Sequence, residues 1–163
     1  MRRVASAAFC SVCLGLILSA CASGSGTRSD SAAAEKRGVG PGMNADGEVI
    51  DSSKVESGYG QKVKIGDWEG ELTGKPAAGS CFTKLQIGMP IKQVTDTCGP
   101  PTDQGAYITG KAFIPFYFGS DRFRYELAYK AQGRLIFAGG SMADITGGHL
   151  IWVIYNASDT GYR

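Results

Sequence analysis

Hydropathy divides the chain into three stretches. Residues 4–20 are almost wholly apolar or small and follow the basic pair Arg2-Arg3, the order of a secretory signal. Residues 22–59 are rich in Gly, Ser, Ala and Asp, and before Tyr59 only Val39, Met43, Val49, Ile50 and Val55 are sizeable and apolar. Such a stretch buries too little to offset its ordering entropy. A flexible tether is expected over residues 21–59, and about forty residues of such coil reach on the order of 35 Å. Periodic patterning begins near Gly60. Residues 61–65 alternate like a strand, Gly66-Asp67 offers a turn, and Trp68-Glu69-Gly70-Glu71-Leu72 follows before Lys75-Pro76 breaks the pattern. A hairpin or an ordered arm is expected over residues 60–75.

Between residues 80 and 101 the punctuation is helical. Pro90 suits the first turn of a helix, Gly99 suits a left-handed cap, and Pro100 forbids continuation, so residues 90–98 are predicted as a short helix. Phe82 and Leu85, three apart, predict a second short helix before it, with Gly88 as the corner. The remainder reads as antiparallel strands. Residues 113–118 form a continuous apolar run, and Phe123, Tyr125, Leu127 and Tyr129 alternate with Arg122, Arg124, Glu126 and Lys130. Gly133 marks a turn into residues 134–139, and residues 149–155 place Leu150, Trp152 and Ile154 on one face after a glycine-rich loop over 139–148. The predicted fold class is α+β. Two short helices pack on an antiparallel sheet of three to four strands, within one domain over residues 60–163.

The first apolar run ends in Leu18-Ser19-Ala20-Cys21, which resembles the lipobox of bacterial lipoproteins, where small residues precede an obligatory cysteine whose thiol takes diacylglycerol. The resemblance implies cleavage after residue 20 and an acylated N-terminus at Cys21. The competing readings are an ordinary cleavable signal or an uncleaved anchor helix. The run is short for a span of about twenty residues, however, and flexible sequence follows it at once. Two or three acyl chains, at about 0.8 kcal/mol per buried methylene, anchor stably where one does not. Ala22, and not Asp, follows the cysteine, which by the same resemblance implies delivery to the outer membrane.

Charge adds little. Removing Arg2 and Arg3 brings the seventeen basic residues to fifteen, equal to the acidic ones, so nothing marks a nucleic-acid binder. Cysteine usage adds more. Cys10 and Cys13 fall in the signal and Cys21 is taken by lipid, leaving Cys81 and Cys98. In an oxidising compartment two cysteines imply one disulfide, and closing a loop of about seventeen residues stabilises by roughly 3 kcal/mol on chain-entropy grounds. If the two predicted helices run antiparallel about Gly88, the cysteines fall side by side. The alternative is two buried free thiols. No cofactor is expected: His149 is the only histidine, and the mature chain has no Cys-x-x-Cys pair to hold a metal.

The segment Lys84-Leu85-Gln86-Ile87-Gly88-Met89-Pro90-Ile91-Lys92-Gln93-Val94, followed by Cys98-Gly99-Pro100-Pro101-Thr102, resembles the signature of the BamE/SmpA/OmlA family of outer-membrane lipoproteins. That likeness covers about a third of the chain and implies two helices followed by a three-stranded sheet. The same unit is similar to one half of the β-lactamase-inhibitory proteins. Cys98 stands where the family usually has leucine, and the Trp68 and Trp152 segments lie outside the signature.

Candidate chemistry is sparse. Glu69 and Glu71 share a strand face and could mimic a carboxylate pair, but a solvated face is the commoner reading. No nucleophile elbow, phosphate loop or Ser/His/Asp constellation is visible, so no enzyme and no small-molecule substrate are expected. The aromatic set divides between sheet core and an exposed interaction patch, with Tyr117 and Phe118 as patch candidates. Arg122 and Arg124 belong either to a solvated face or to a surface meeting acidic headgroups or an acidic partner. The expectation is a lipid-anchored, non-catalytic scaffold facing the periplasm, bound to an envelope protein partner. The alternative is an inhibitor that plugs a hydrolase such as a β-lactamase with the loop over residues 141–148.

Overall fold

The computed structural model describes residues 39–116, 120–141 and 144–163, all within one compact unit. The predicted signal, Cys21, the tether up to residue 38, Tyr117 and Phe118 lie outside the described residues. Six strands, β1 (Gln61–Ile65), β2 (Trp68–Thr73), β3 (Asp103–Ile108), β4 (Phe123–Tyr129), β5 (Gly133–Ser141) and β6 (Asp144–Tyr155), form one sheet in the order β1-β2-β6-β5-β4-β3. Helix α1 (Ile91–Cys98) lies between β2 and β3 in the chain. All neighbours pair antiparallel except β2 and β6, which run parallel with Glu71 opposite Trp152.

The fold is therefore richer in sheet than two helices on three to four antiparallel strands. The first predicted helix closes only as a 3-10 turn at Cys81–Lys84, because Leu85 is already extended and a single turn cannot meet the cost of helix nucleation. The parallel β2–β6 ladder, invisible to local patterning, adds the β1–β2 hairpin to the sheet. β3 replaces the strand predicted at residues 113–118. It occupies the position beside β4, and Gly110–Phe113 instead forms a 3-10 turn. The glycine-rich 139–148 stretch is mostly strand as well, since Gly139 pairs with Gly148 and Ser141 with Asp144.

α1 starts and stops as predicted to within a residue. Pro90 caps it in extended geometry, and the Gly99 amide closes on Thr95 O at 2.8 Å with φ of 79°. Its apolar stripe buries Ile91 and Val94, while Lys92 and Asp96, one turn apart, pair in solvent at 2.8 Å. The preceding corner is clipped to β6: Gly88 N donates to Leu150 O, and Leu150 N donates to Met89 O, both at 2.8 Å. Gly88 is obligatory there. Its φ is +91°, and a Cβ would lie 2.5 Å from the Trp68 ring. Cys81 and Cys98 are disulfide-bonded, with Cα atoms 5.4 Å apart.

Both faces of the sheet are covered. On the helix face, Phe82, Ile91 and Val94 meet Tyr125, Leu127, Leu135, Phe137, Leu150 and Val153, all buried. On the other face a second cluster of Val49, Ile136, Trp152 and Ile154 is joined by Met43 and Val55. Residues 39–59, expected as the end of the tether, thus supply one cover of the sheet. Polar anchors fix them: Asn156 Nδ2 donates to Ser52 Oγ at 2.9 Å, and the Glu71 carboxylate accepts the amides of Gly58 and Gly60 at 2.8 and 2.7 Å. Beside them the chain's last residues cross the same face. Arg134 donates to Glu126 at 2.7 Å, to Asp159 at 3.3 Å and to the Tyr162 carbonyl at 3.1 Å, while Arg163 reaches Asp103.

Candidate functional site

The exposed apolar surface concentrates where β3 ends. Ile108, at the end of the strand, is half exposed. Past it the chain turns through Gly110–Phe113 and leaves Phe113 78% and Phe116 90% exposed, with Ile114 between them at 52%. Scattered exposed hydrophobic residues are ordinary, but four within nine positions of one turn mark an interaction surface. Phe116 has φ of +62°, a left-handed conformation that costs a non-glycine residue about 1–2 kcal/mol.

The base of this corner is stiff. Thr109 N donates to Arg122 O at 3.0 Å, and Thr109 Oγ1 donates to Asp121 O at 2.5 Å, tying the end of β3 to the Ser120–Arg122 turn. The Asp121 carboxylate accepts Lys111 Nζ at 2.7 Å and Arg124 Nε and Nη2 at 2.8 and 3.1 Å. Burial opposes its charge, but the hydrogen bonds and attraction from Arg124 and Lys111 prevail and hold it below the usual aspartate value. Arg124 is thus engaged within the domain. Arg122 is different: its Cζ lies 5.9 Å from the centroid of the Phe123 ring, and its Nε is buried without a hydrogen-bond partner among the described residues. The structure therefore gives the two predicted arginines separate settings, both at the foot of the apolar corner.

Next to the corner, a groove of about 240 Å³ runs between α1 and β3, lined by Ile91, Gln104, Ala106, Tyr125 and Leu127. Its walls are mostly apolar, and it suits a side chain better than it suits a reaction. Glu69 and Glu71 do not act as a pair. Glu69 is exposed and bonded to Lys64 at 2.9 Å, which holds its carboxyl below the usual range. Glu71 is buried and also accepts from Thr73 Oγ1, which in turn accepts Trp152 Nε1 at 2.9 Å. His149 stacks on Trp68 with ring centroids 4.3 Å apart.

The apolar run over residues 113–118 predicts a strand, and the sequence holds one signal against it. Pro115 sits inside the run, and proline demotes a run from central strand because it cannot donate to the ladder. Among the described residues, no helix is long and apolar enough to cross a membrane, and no group of three His, Cys, Asp or Glu side chains is placed to hold a metal. Comparison with protein-family models, with characterised proteins and with solved structures finds no match to this chain.

Proposed function

We propose that the protein is a lipid-anchored, non-catalytic adaptor of the bacterial outer membrane that docks an envelope protein through the apolar corner after β3. The observation that carries this reading is the exposure of Ile108, Phe113, Ile114 and Phe116 on a base made stiff by Thr109 and Asp121. Rigid aromatic side chains presented outward are the usual anchors of a protein interface, since they bury much area at little entropic cost. Tyr117 and Phe118 continue the same run in sequence. Anchorage rests on the signal-like residues 1–20 and on Cys21. Residues 39–59, which a tether was expected to include, instead pack on the domain.

A role akin to the BamE/SmpA/OmlA lipoproteins, in outer-membrane protein assembly or envelope integrity, draws support from the corner at Gly88 and the helix stop at Gly99. The inhibitor alternative relied on a loop over residues 141–148, and most of that segment is paired strand.

A photo-crosslinking residue placed at Phe113 or Phe116 of the full chain in intact cells should capture a defined envelope protein. The capture should be lost on Phe113→Ser with Phe116→Ser. Crosslinks that persist unchanged in the double variant, or that reach lipid alone, would remove the docking surface. Cys21→Ser should separately abolish fatty-acid labelling and release the chain from membranes.

A further inference from the structure

The two edges of the sheet are built differently. β1 carries Lys62 and Lys64 at two of its five positions, the usual protection of an edge against pairing with another strand. β3, at the opposite edge, has the sequence Asp103-Gln104-Gly105-Ala106-Tyr107-Ile108. Its one charge, Asp103, is occupied by the Arg163 amide and guanidinium at 3.1 and 3.2 Å. The bond from Thr109 N to Arg122 O sets the phase of the β3–β4 ladder. Asp103, Gly105 and Tyr107 turn their backbone groups toward β4, and Gln104, Ala106 and Ile108 turn theirs outward. The Gln104 amide is met by its neighbour's carboxylate at 2.8 Å. No group among the described residues bonds the outward amides of Ala106 and Ile108. An open edge of this kind is a template for another strand.

We propose that the strand is supplied by a second copy of this chain, with β3 pairing antiparallel to β3 about a two-fold axis at Ala106, so that one sheet runs through both copies. The edge is self-complementary in that register. The outward-facing residues form the hydrogen-bonded pairs: Ala106 faces its own copy, and Gln104 faces Ile108 of the second copy. Both axis residues are small, so the backbones can approach. Ile108, half exposed in one copy, is set beside the groove of the other, whose floor is Ile91, Tyr125 and Leu127. On the opposite face Tyr107 comes opposite Gly105 of the second copy. Gly105 has no side chain, and the Arg163 guanidinium lies directly over it, so an aromatic ring meets a flat cation. A closed, isologous contact of this kind ends growth at two copies, and Pro100-Pro101 stops the ladder beyond Thr102. The pairing takes Ile108 of each copy into the seam and keeps Phe113, Ile114 and Phe116 as the docking corner, one at each end of the shared ladder, giving the adaptor two docking points. This last consequence, though not the pairing itself, rests on the proposed docking function.

Ala106→Cys tests the register, with Lys64→Cys on the protected edge as control. Each is expressed as the full chain in intact cells and purified as the mature chain carrying Cys21→Ser, then treated with a short thiol-to-thiol crosslinker. A covalent dimer is expected with Ala106→Cys and not with Lys64→Cys. Ala106→Pro, which removes only an outward amide, should abolish the doubled mass in sedimentation while leaving the thermal melt in place. Absence of the Ala106→Cys dimer in both settings overturns the proposal, as do equal dimer yields from both edges. Capture of a different protein at residue 106 assigns the edge to a heterologous strand and also overturns it. Crosslinks at Phe113 and lipid labelling at Cys21 are read independently, so the adaptor reading and the dimer fail separately.

Discussion

Ala131 has φ of +58° in the β4–β5 turn, where its amide donates to Asp159 O at 2.8 Å. A left-handed alanine costs about 1–2 kcal/mol, and glycine would remove that strain at about 0.5–1 kcal/mol of added chain entropy. The strain outweighs the entropy, so Ala131→Gly should stabilise the domain by about 0.5–1 kcal/mol and raise the melting temperature by a few degrees in calorimetry. Residues of this kind are hard to read from a sequence, where Gly133 looked like the whole of the turn. Glu71 makes the same point. Alternation places it on a strand face with Glu69, yet its partners are amides of residues 58 and 60, and local spacing carries no trace of them. Phe113 and Phe116 mislead in the other direction, because an apolar run reads as core until the structure shows that β3 already fills the place beside β4.

Among the elements, the segment from Gly88 to Gly99 was the most legible, whereas the helix predicted before it closes only as the Cys81–Lys84 turn. The controls of the legible segment are local: Gly88 turns the corner, Pro90 starts α1 and Gly99 ends it. The cysteines flank that corner nearly symmetrically, and the disulfide follows. Replacing Cys81 and Cys98 together with serine should cost about 3 kcal/mol. Urea unfolding should show the loss as a lower midpoint with the native circular dichroism retained. β3 was missed for the converse reason. Gly105 and Ala106 give it weak strand propensity, and Pro100-Pro101 before it reads as a turn, so only the β4 ladder makes it a strand. The β2–β6 pairing joins residues about eighty positions apart, beyond the range of any periodicity.

For the molecule as a whole, pH reports how the two faces are closed. Burial pushes the Tyr129 phenol up to about 12, while its hydroxyl donates to Gly99 O at 3.0 Å, and burial likewise raises Tyr155 and Tyr107. A phenol whose folded value lies above its ordinary 10.0 favours the folded state fully below about pH 10, and that contribution falls away as pH climbs toward about 12. Thermal melts across this window should therefore show a progressive loss of stability, and Tyr129→Phe should flatten the decline. A decline that is equally steep in Tyr129→Phe would assign the effect elsewhere.

The sequence by itself determined what depends on neighbours along the chain: the punctuation of α1, the corner at Gly88, the disulfide partners and the alternation that marks β4 as a strand. Tertiary structure alone decided the mixed six-stranded order, the cover supplied by residues 39–59, the tail held by Arg134 and the exposure of Phe113 and Phe116. The division has a physical cause. Backbone preferences and periodicity act over a few residues, whereas burial is settled by which distant surfaces meet, and a short segment such as 39–59 has too few apolar side chains to fold until the sheet provides their other half.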